Sequence, residues 1–128
     1  MNSGNQENSG GQSRDNRVPL GTWGGRQVGL EVTARGGSIE FDCAHGAINE
    51  PLVLDRDGNF SVRGTYEAER PGPRREGESP NAREARYAGS FDRRARTLTL
   101  TVTLTDRDER IGTFTLRHGV APRIVKCL

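Results

Sequence analysis

Residues 97 to 105, TLTLTVTLT, alternate threonine with aliphatic residues without a break. A period of two sends successive side chains of an extended strand to opposite faces, so four aliphatic side chains share one face and five threonines the other. Antiparallel sheets commonly bury one face and leave the other in water. The segment therefore predicts a half-buried strand, and it favours an all-β protein.

The same alternation recurs from Val18 onward, and no helical periodicity competes with it. Turn sequences rich in Gly, Asp and Arg separate the alternating runs. They divide the chain into eight predicted strands, near residues 22–34, 38–45, 47–54, 58–67, 84–92, 96–105, 110–118 and 122–127. An eight-stranded antiparallel meander can hide its apolar face and its edges by closing into an up-and-down barrel, and a β-sandwich is the alternative.

The first 17 residues, MNSGNQENSGGQSRDNR, contain no apolar side chain after Met1. Such a segment cannot bury enough surface to offset the entropy lost on ordering. We therefore expect a disordered tail or tether over residues 1–17 and one domain over residues 18–128, since 128 residues suffice for a single domain. A polar tether ahead of a compact domain is typical of an exported protein or lipoprotein whose signal or lipid-attachment segment lies upstream.

The start of the first predicted strand reads Gly21-Thr22-Trp23. This resembles the Gly-x-Trp opening of the calycin barrels, which include lipocalins, avidins and small bacterial protease inhibitors. In those families the Trp closes one barrel end and is covered by an Arg or Lys from the last strand. The resemblance implies the same place for Trp23, with Arg123 lying across it, since Arg123 shares the parity of Val125 and Cys127.

Cys43 and Cys127 are the two cysteines of the chain. Both fall on positions predicted to face inward, and one disulfide between an early and a late strand is the expected arrangement, which in turn indicates export. The alternative is a zinc site in which His45 and His118 join the two cysteines, although the paired spacing of zinc ligands is missing.

Other chemical motifs are incomplete. Asp55-Arg56-Asp57-Gly58-Asn59 begins like a calcium loop, but Tyr66 stands where that loop needs Glu, so a hairpin turn is predicted. We find no nucleophile with a base in reach, no paired carboxylates and no phosphate-binding glycine loop. We therefore predict no catalytic residue, no bound metal and no cofactor.

The longest connection, Ala68 to Arg83, breaks the rhythm of short turns, and long loops in compact domains often carry function. It is the predicted partner loop, with candidate residues Arg70, Arg74, Arg75 and Arg83. The net charge of +2 is too small, and Arg and Glu too interleaved, to indicate nucleic acid. No apolar run is long enough to span a membrane as a helix.

These observations favour an exported, secreted, periplasmic or cell-surface binding module that is a monomer and not an enzyme. One interpretation is a carrier that holds a small molecule in the barrel, with Trp23, Arg123, Tyr66 and Tyr87 as barrel-end ligand candidates; Gly64 and Gly89, on the inward parity, could leave space for it. The alternative is a binder of a protein partner in the cell envelope, such as a protease inhibitor.

Overall fold

The structure, a computed structural model, describes residues 16–69 and 82–127. The described residues form eight strands: β1 Gly21–Gly25, β2 Val28–Thr33, β3 Gly36–Phe41, β4 Ala44–Ile48, β5 Asn59–Ala68, β6 Arg83–Asp92, β7 Thr97–Leu104 and β8 Glu109–His118. Each strand pairs antiparallel with the next, and β8 returns to β1 through the pairs Trp23–His118 and Gly24–Arg117. The predicted closed eight-stranded antiparallel barrel is confirmed.

The meander gives the barrel two distinct ends. At the Trp23 end lie the β2–β3, β4–β5 and β6–β7 connections, together with the start of β1 and the end of β8. At the disulfide end lie the β1–β2, β3–β4, β5–β6 and β7–β8 connections, and the β3–β4 turn carries Cys43. Described residues form no helix, and hence none long and apolar enough to cross a membrane.

Apolar side chains fill the barrel interior. The alternating residues of β7 are buried completely, together with the aliphatic residues of β2 and with Trp23 and Tyr87. The Tyr87 ring occupies the space that two inward glycines leave: a Cβ at Gly46 would collide with its hydroxyl, and one at Gly64 would lie 3.0 Å from its Cε2. The hydroxyl donates to the Thr65 carbonyl oxygen at 2.5 Å. The inward glycines therefore make room for an aromatic side chain and do not hollow out the barrel.

Three of the predicted strands have wrong boundaries, and two of these errors cancel in the strand count. The predicted strand 22–34 is two strands, because the chain reverses at residues 26–27, where Gln27 adopts a φ of 68°. The predicted strand 122–127 is not a strand, because the barrel already closes through β8 and leaves no inner position for it. The predicted strand 47–54 ends at Ile48, and Pro51, which has no amide hydrogen, lies in the irregular segment that follows.

The Trp23 end is closed by a small cap in which residues 16–18 lie along residues 52–54. The Val18 amide donates to the Leu52 carbonyl, and the Leu54 amide donates to the Asn16 carbonyl. Val18, Leu52 and Leu54 are buried by this pairing. Asn16 and Arg17 therefore pair with the rest of the domain, and residues 1–15, which hold most of the predicted tail, lie outside the described residues.

Residues 119–127 form a strap on the outer surface of the barrel. A Cβ at Gly24 would lie 2.6 Å from the Ala121 carbonyl carbon, and one at Gly29 would lie 2.6 Å from Pro122 Cγ. Because Gly24 and Gly29 are direct partners across β1 and β2, they leave a flat place on which the strap lies.

The strap ends at the disulfide between Cys127 and Cys43, whose Cα atoms are 5.1 Å apart. The predicted bond is present, but the predicted inward orientation of both cysteines is wrong. Cys43 occupies an exposed turn and Cys127 an exposed position on the strap. The bond fastens the end of the chain to the outside of the barrel.

Candidate functional site

The disulfide end opens into a cavity of about 280 Å³ between the ends of β3, β5 and β8. Three aromatic side chains form its floor and walls: the Phe41 ring centroid lies 5.5 Å from that of Tyr66 and 5.2 Å from that of Phe114. Phe41 is buried, whereas Tyr66 and Phe114 are partly exposed. Here the apolar core reaches solvent, while the cap covers it at the other end.

A β-bulge in β8 brings a fourth apolar side chain to this cavity. Val102 pairs with Gly112 and the next residue of β7, Thr103, pairs with Arg110, so Ile111 is an extra residue on β8. Ile111 packs partly buried against the core and lines the cavity. Bulges are common at barrel rims, where they redirect a side chain.

The surroundings of Tyr66 at the mouth favour its protonated phenol, which can donate a hydrogen bond. Partial burial is the main effect that raises the pKa of the Tyr66 phenol, the nearby Glu109 carboxylate raises it further, and Arg83 lowers it. Arg83 is held by Asp106, with which it makes two hydrogen bonds of 2.8 and 3.0 Å. That pairing lowers the pKa of Asp106.

A second polar cluster fastens the strap beside the cavity. Lys126, the one lysine of the chain, lies 2.6 Å from a Glu40 carboxylate oxygen and donates to Glu69 at 2.9 Å and to the Phe41 carbonyl at 3.0 Å. His45 Nδ1 lies 2.8 Å from the same Glu69 carboxylate. These hydrogen bonds, from Lys126 first and from His45 second, lower the pKa of Glu69.

Asp42 completes the rim on the strap side. Its carboxylate accepts from the Val125 amide at 3.0 Å, and its carbonyl accepts from the Cys127 amide at 3.1 Å. The residue also lines the cavity, next to Cys43. The strap, the disulfide and the cavity mouth are therefore one connected structure.

The four predicted ligand candidates lie in three different places. Tyr66 lines the cavity at the disulfide end. Trp23 and Tyr87 are completely buried, and the Trp23 indole donates to the Pro19 carbonyl at 2.9 Å. Arg123 is exposed on the strap, where its amide donates to the Gly25 carbonyl at 3.0 Å.

Two rings lie against Trp23: His118, with centroids 4.7 Å apart, and Phe91, edge-on at 5.8 Å. The predicted stacking of Arg123 on Trp23 is wrong, because the strap runs outside the barrel wall while the indole points inward. The imidazole occupies the place expected for the arginine. Its Nε2 lies 2.9 Å from the Leu20 carbonyl oxygen and its Nδ1 contacts the Arg96 guanidinium.

The predicted partner loop falls mostly outside the described residues, which include neither Arg70 nor Arg74 and Arg75. Arg83 is the first residue of β6 and pairs with Asp106, so its side chain has a structural role.

The predicted turn at Asp55 is observed: its Oδ1 accepts from the amides of Asp57 at 2.8 Å and Asn59 at 2.9 Å.

The zinc alternative is wrong, because the two cysteines are bonded to each other and His118 lies at the opposite end of the barrel. Within residues 16–69 and 82–127, no group of three or more His, Cys, Asp or Glu side chains is arranged to hold a metal ion.

A larger groove of about 610 Å³ crosses the outer face of β5 and β6. Its exposed charged side chains include Arg63 and Arg86, which are direct partners across the two strands. Its described lining includes two small residues, Gly64 and Ala85, and no large apolar side chain. The disulfide-end cavity is therefore the better ligand site.

Four large apolar side chains line this cavity: Phe41, Tyr66, Ile111 and Phe114. Of these, the sequence predicted only Tyr66 as a site residue. It placed Phe41 and Phe114 on inward faces, and their nearness to the same barrel end follows once the topology is known. Ile111 could not be assigned, because the bulge breaks the alternation that identifies inward positions.

No family model, no curated protein and no solved structure matches this chain.

Proposed function

We propose that the protein is an exported, non-catalytic binding module that takes one small, mainly apolar molecule at its disulfide end. The observation that carries this proposal is the cavity of about 280 Å³ whose lining includes three clustered aromatic rings, in a barrel whose remaining interior is filled. Aromatic clusters that stay partly exposed cost free energy in water unless something covers them, and small-ligand sites are typically concave, apolar and aromatic.

The dimensions of the cavity favour a compact ligand of one or two rings. Its volume lies at the lower limit of the range usual for small-molecule sites. Offset or edge-on contact with Phe41 and Phe114 would hold a flat apolar body. The Tyr66 phenol is protonated at neutral pH at its ordinary pKa, and burial raises that pKa further, so the phenol can donate to one acceptor on the ligand. The ligand class is thus an uncharged aromatic or alicyclic molecule with a single acceptor.

Two further observations support the setting of this function. A disulfide between two exposed cysteines persists in oxidising compartments, which favours a secreted, periplasmic or cell-surface location. A closed eight-stranded barrel that opens with Gly21-Thr22-Trp23 supports a relation to the calycin barrels. In that group, binding of small molecules is widespread and needs no cofactor.

The experiment is a fluorescence titration with N-phenyl-1-naphthylamine, an uncharged apolar probe that brightens when it leaves water. We expect saturable binding with one site per chain. Phe114→Leu removes one aromatic wall and should weaken binding roughly two- to tenfold, the usual worth of an aromatic contact. Ile111→Trp should fill the mouth and abolish binding.

The matched control is Phe91→Leu, which alters a partly buried aromatic residue beside Trp23 at the other end. Its affinity for the probe should equal that of the unmodified protein. Equal losses in Phe91→Leu and Phe114→Leu, or unchanged binding in Ile111→Trp, would contradict a site at the disulfide end.

A further inference from the structure

The Trp23 end carries a surplus of positive charge that the net charge of the chain conceals. We count the connections at this end and the two strand residues next to each. They hold seven arginines and four carboxylates: Arg17, Arg35, Arg56, Arg93, Arg94, Arg96 and Arg117 against Glu50, Asp55, Asp57 and Asp92. The same count over the described residues of the disulfide end and the end of the strap gives eight carboxylates against five arginines and one lysine. The described barrel is therefore positive at one end and negative at the other.

Several of these arginines are available for a partner. Arg35, Arg56, Arg94 and Arg117 are exposed, and none of the four forms a salt bridge with another described residue. The carboxylate of Asp92 instead accepts from the backbone amides at the start of the next turn, at 3.0 and 3.1 Å. The carboxylate of Asp55 does the same in its own turn.

Exposed apolar side chains lie among these arginines. Of the four large hydrophobic residues that are exposed in the described part of the chain, three are at this end: Leu20 at 55%, Val53 at 50% and Val120 at 43%. Val53 points away from the cap whose neighbouring residues, Leu52 and Leu54, are buried. The three side chains are separate from one another in the sequence, and each is three positions away from an arginine of this end.

We propose that the Trp23 end is a docking surface for an anionic lipid bilayer. Single apolar side chains spread among arginines suit a bilayer, because each can enter the headgroup region independently while the guanidinium groups contact phosphates. We favour a bilayer over a folded protein partner because these arginines and apolar side chains are spread over several separate connections of the barrel, whereas a protein interface centres on a cluster of well-packed anchor residues. The charge surplus supplies the complementarity to anionic lipid. Docked in this way, the barrel presents its ligand cavity to solvent.

The experiment is co-sedimentation of the full chain with phosphatidylcholine vesicles that contain phosphatidylglycerol, against vesicles of phosphatidylcholine alone. We expect binding to the anionic vesicles that weakens as salt is added. The triple variant Arg35→Gln, Arg56→Gln, Arg94→Gln should bind roughly a hundredfold more weakly, at roughly fivefold for each basic residue removed from a membrane surface. The matched control, Arg26→Gln, Arg107→Gln, Arg110→Gln, removes the same charge from the disulfide end and should bind as the unmodified protein does.

A second variant separates a bilayer from an acidic macromolecule. Leu20→Ser with Val53→Ser leaves every charge in place, and it should weaken binding to anionic vesicles while leaving binding to soluble polyglutamate unchanged. Equal binding to neutral vesicles, equal losses in the two triple variants, or an unchanged affinity of the Leu20 and Val53 variant for anionic vesicles would overturn the proposal. Thermal unfolding midpoints within a few degrees of one another establish that all the variants are folded.

Discussion

At the residue scale, Tyr87 and the glycines opposite it decide whether the barrel is full or hollow. The ring is completely buried, and its hydroxyl reaches across to the Thr65 carbonyl on the neighbouring strand. Burial raises the pKa of this phenol far above its ordinary value, so the hydroxyl is a hydrogen-bond donor throughout the accessible pH range. Gly46 and Gly64 lie against this ring and against the backbone carbonyls of Thr65 and Ala47, which together leave no room for a Cβ at either position. The residue that looks like a ligand candidate in the sequence is therefore part of the core.

Gly46→Ala tests that interpretation. A Cβ at position 46 would meet both the Tyr87 hydroxyl and the Thr65 carbonyl oxygen, and the second of these is backbone that cannot move without disturbing β5. We expect the free energy of unfolding to fall by about 2–3 kcal/mol, the upper part of the range for overpacked cores. Chemical denaturation measures it. Gly112→Ala is the control, because a Cβ at position 112 would meet only the ring of Phe114, at 3.3 and 3.4 Å. We expect this variant to lose less than about 1 kcal/mol of unfolding free energy.

At the scale of elements, the strap ties the last residues of the chain to the first two strands. It lies on the Gly24–Gly29 pair and donates from Gly119 to the Thr22 carbonyl at 2.7 Å. Its far end is held by the disulfide and by Lys126. Direct pairing of β1 with β8 covers only two residue pairs, so the strap reinforces the seam where the barrel closes.

Removal of the disulfide should therefore cost stability. The bond closes a sequence separation of 84 residues, for which loop-closure entropy gives about 4.5 kcal/mol. We expect Cys43→Ser with Cys127→Ser to lose about that much free energy of unfolding, and hydrogen exchange to rise first at the Val125 and Cys127 amides. Each single variant should match the double one. A loss below about 1 kcal/mol would mean that noncovalent contacts of the strap suffice to hold it.

The hydrogen bonds of Glu69 with Lys126 and His45 should make the stability of the strap sensitive to acid. Because hydrogen bonds from Lys126 and His45 lower the pKa of Glu69, its contribution to stability is complete above its ordinary value of 4.5 and is lost as the pH falls through the lowered one. Glu69→Gln should be less stable than the unmodified protein at pH 7 by about 0.5–1 kcal/mol, the usual range for a largely exposed ion pair.

Urea midpoints measured between pH 7 and pH 3 should show the two proteins converging as the acid protonates Glu69. Glu84→Gln is the matched control, since no salt bridge to a described residue involves Glu84. Its difference from the unmodified protein should not depend on pH. If the difference in urea midpoint between Glu69→Gln and the unmodified protein does not change with pH, the ionised carboxylate does not stabilise the strap.

The elements also show what the sequence can and cannot predict. The alternation of β7 is unbroken, and the predicted strand, its inward residues and its pairing with both neighbours are all confirmed. The reversal has Arg26 and Gln27 at its two turn positions, with neither Gly nor Asn there, so two strands were predicted as one. The strap has the alternation of a strand but no free edge to pair with, because barrel closure depends on all eight strands together and cannot be deduced from one segment.

At the scale of the whole molecule, the two ends of the barrel differ in every respect that bears on function. The Trp23 end is capped and rich in arginine, and it carries three exposed apolar side chains. The other has an aromatic cavity beside a disulfide and a surplus of carboxylates among its described residues. The sequence alone could not reveal this polarity, because Arg and Glu interleave along the chain and separate only when the meander sends alternate connections to opposite ends.

The most direct test of a filled barrel with one open end is a methyl NMR titration with indole. If the barrel is filled and open at this end, the methyl signals of Ile111 at the cavity should shift and saturate, whereas those of Leu98 and Leu116, completely buried in the core, should stay unchanged. Shifts spread through the buried methyl groups of β2 and β7 would mean that the interior admits the ligand. An Ile111 signal that does not move at saturating indole would mean that the disulfide end holds no ligand site, and either result would contradict the account.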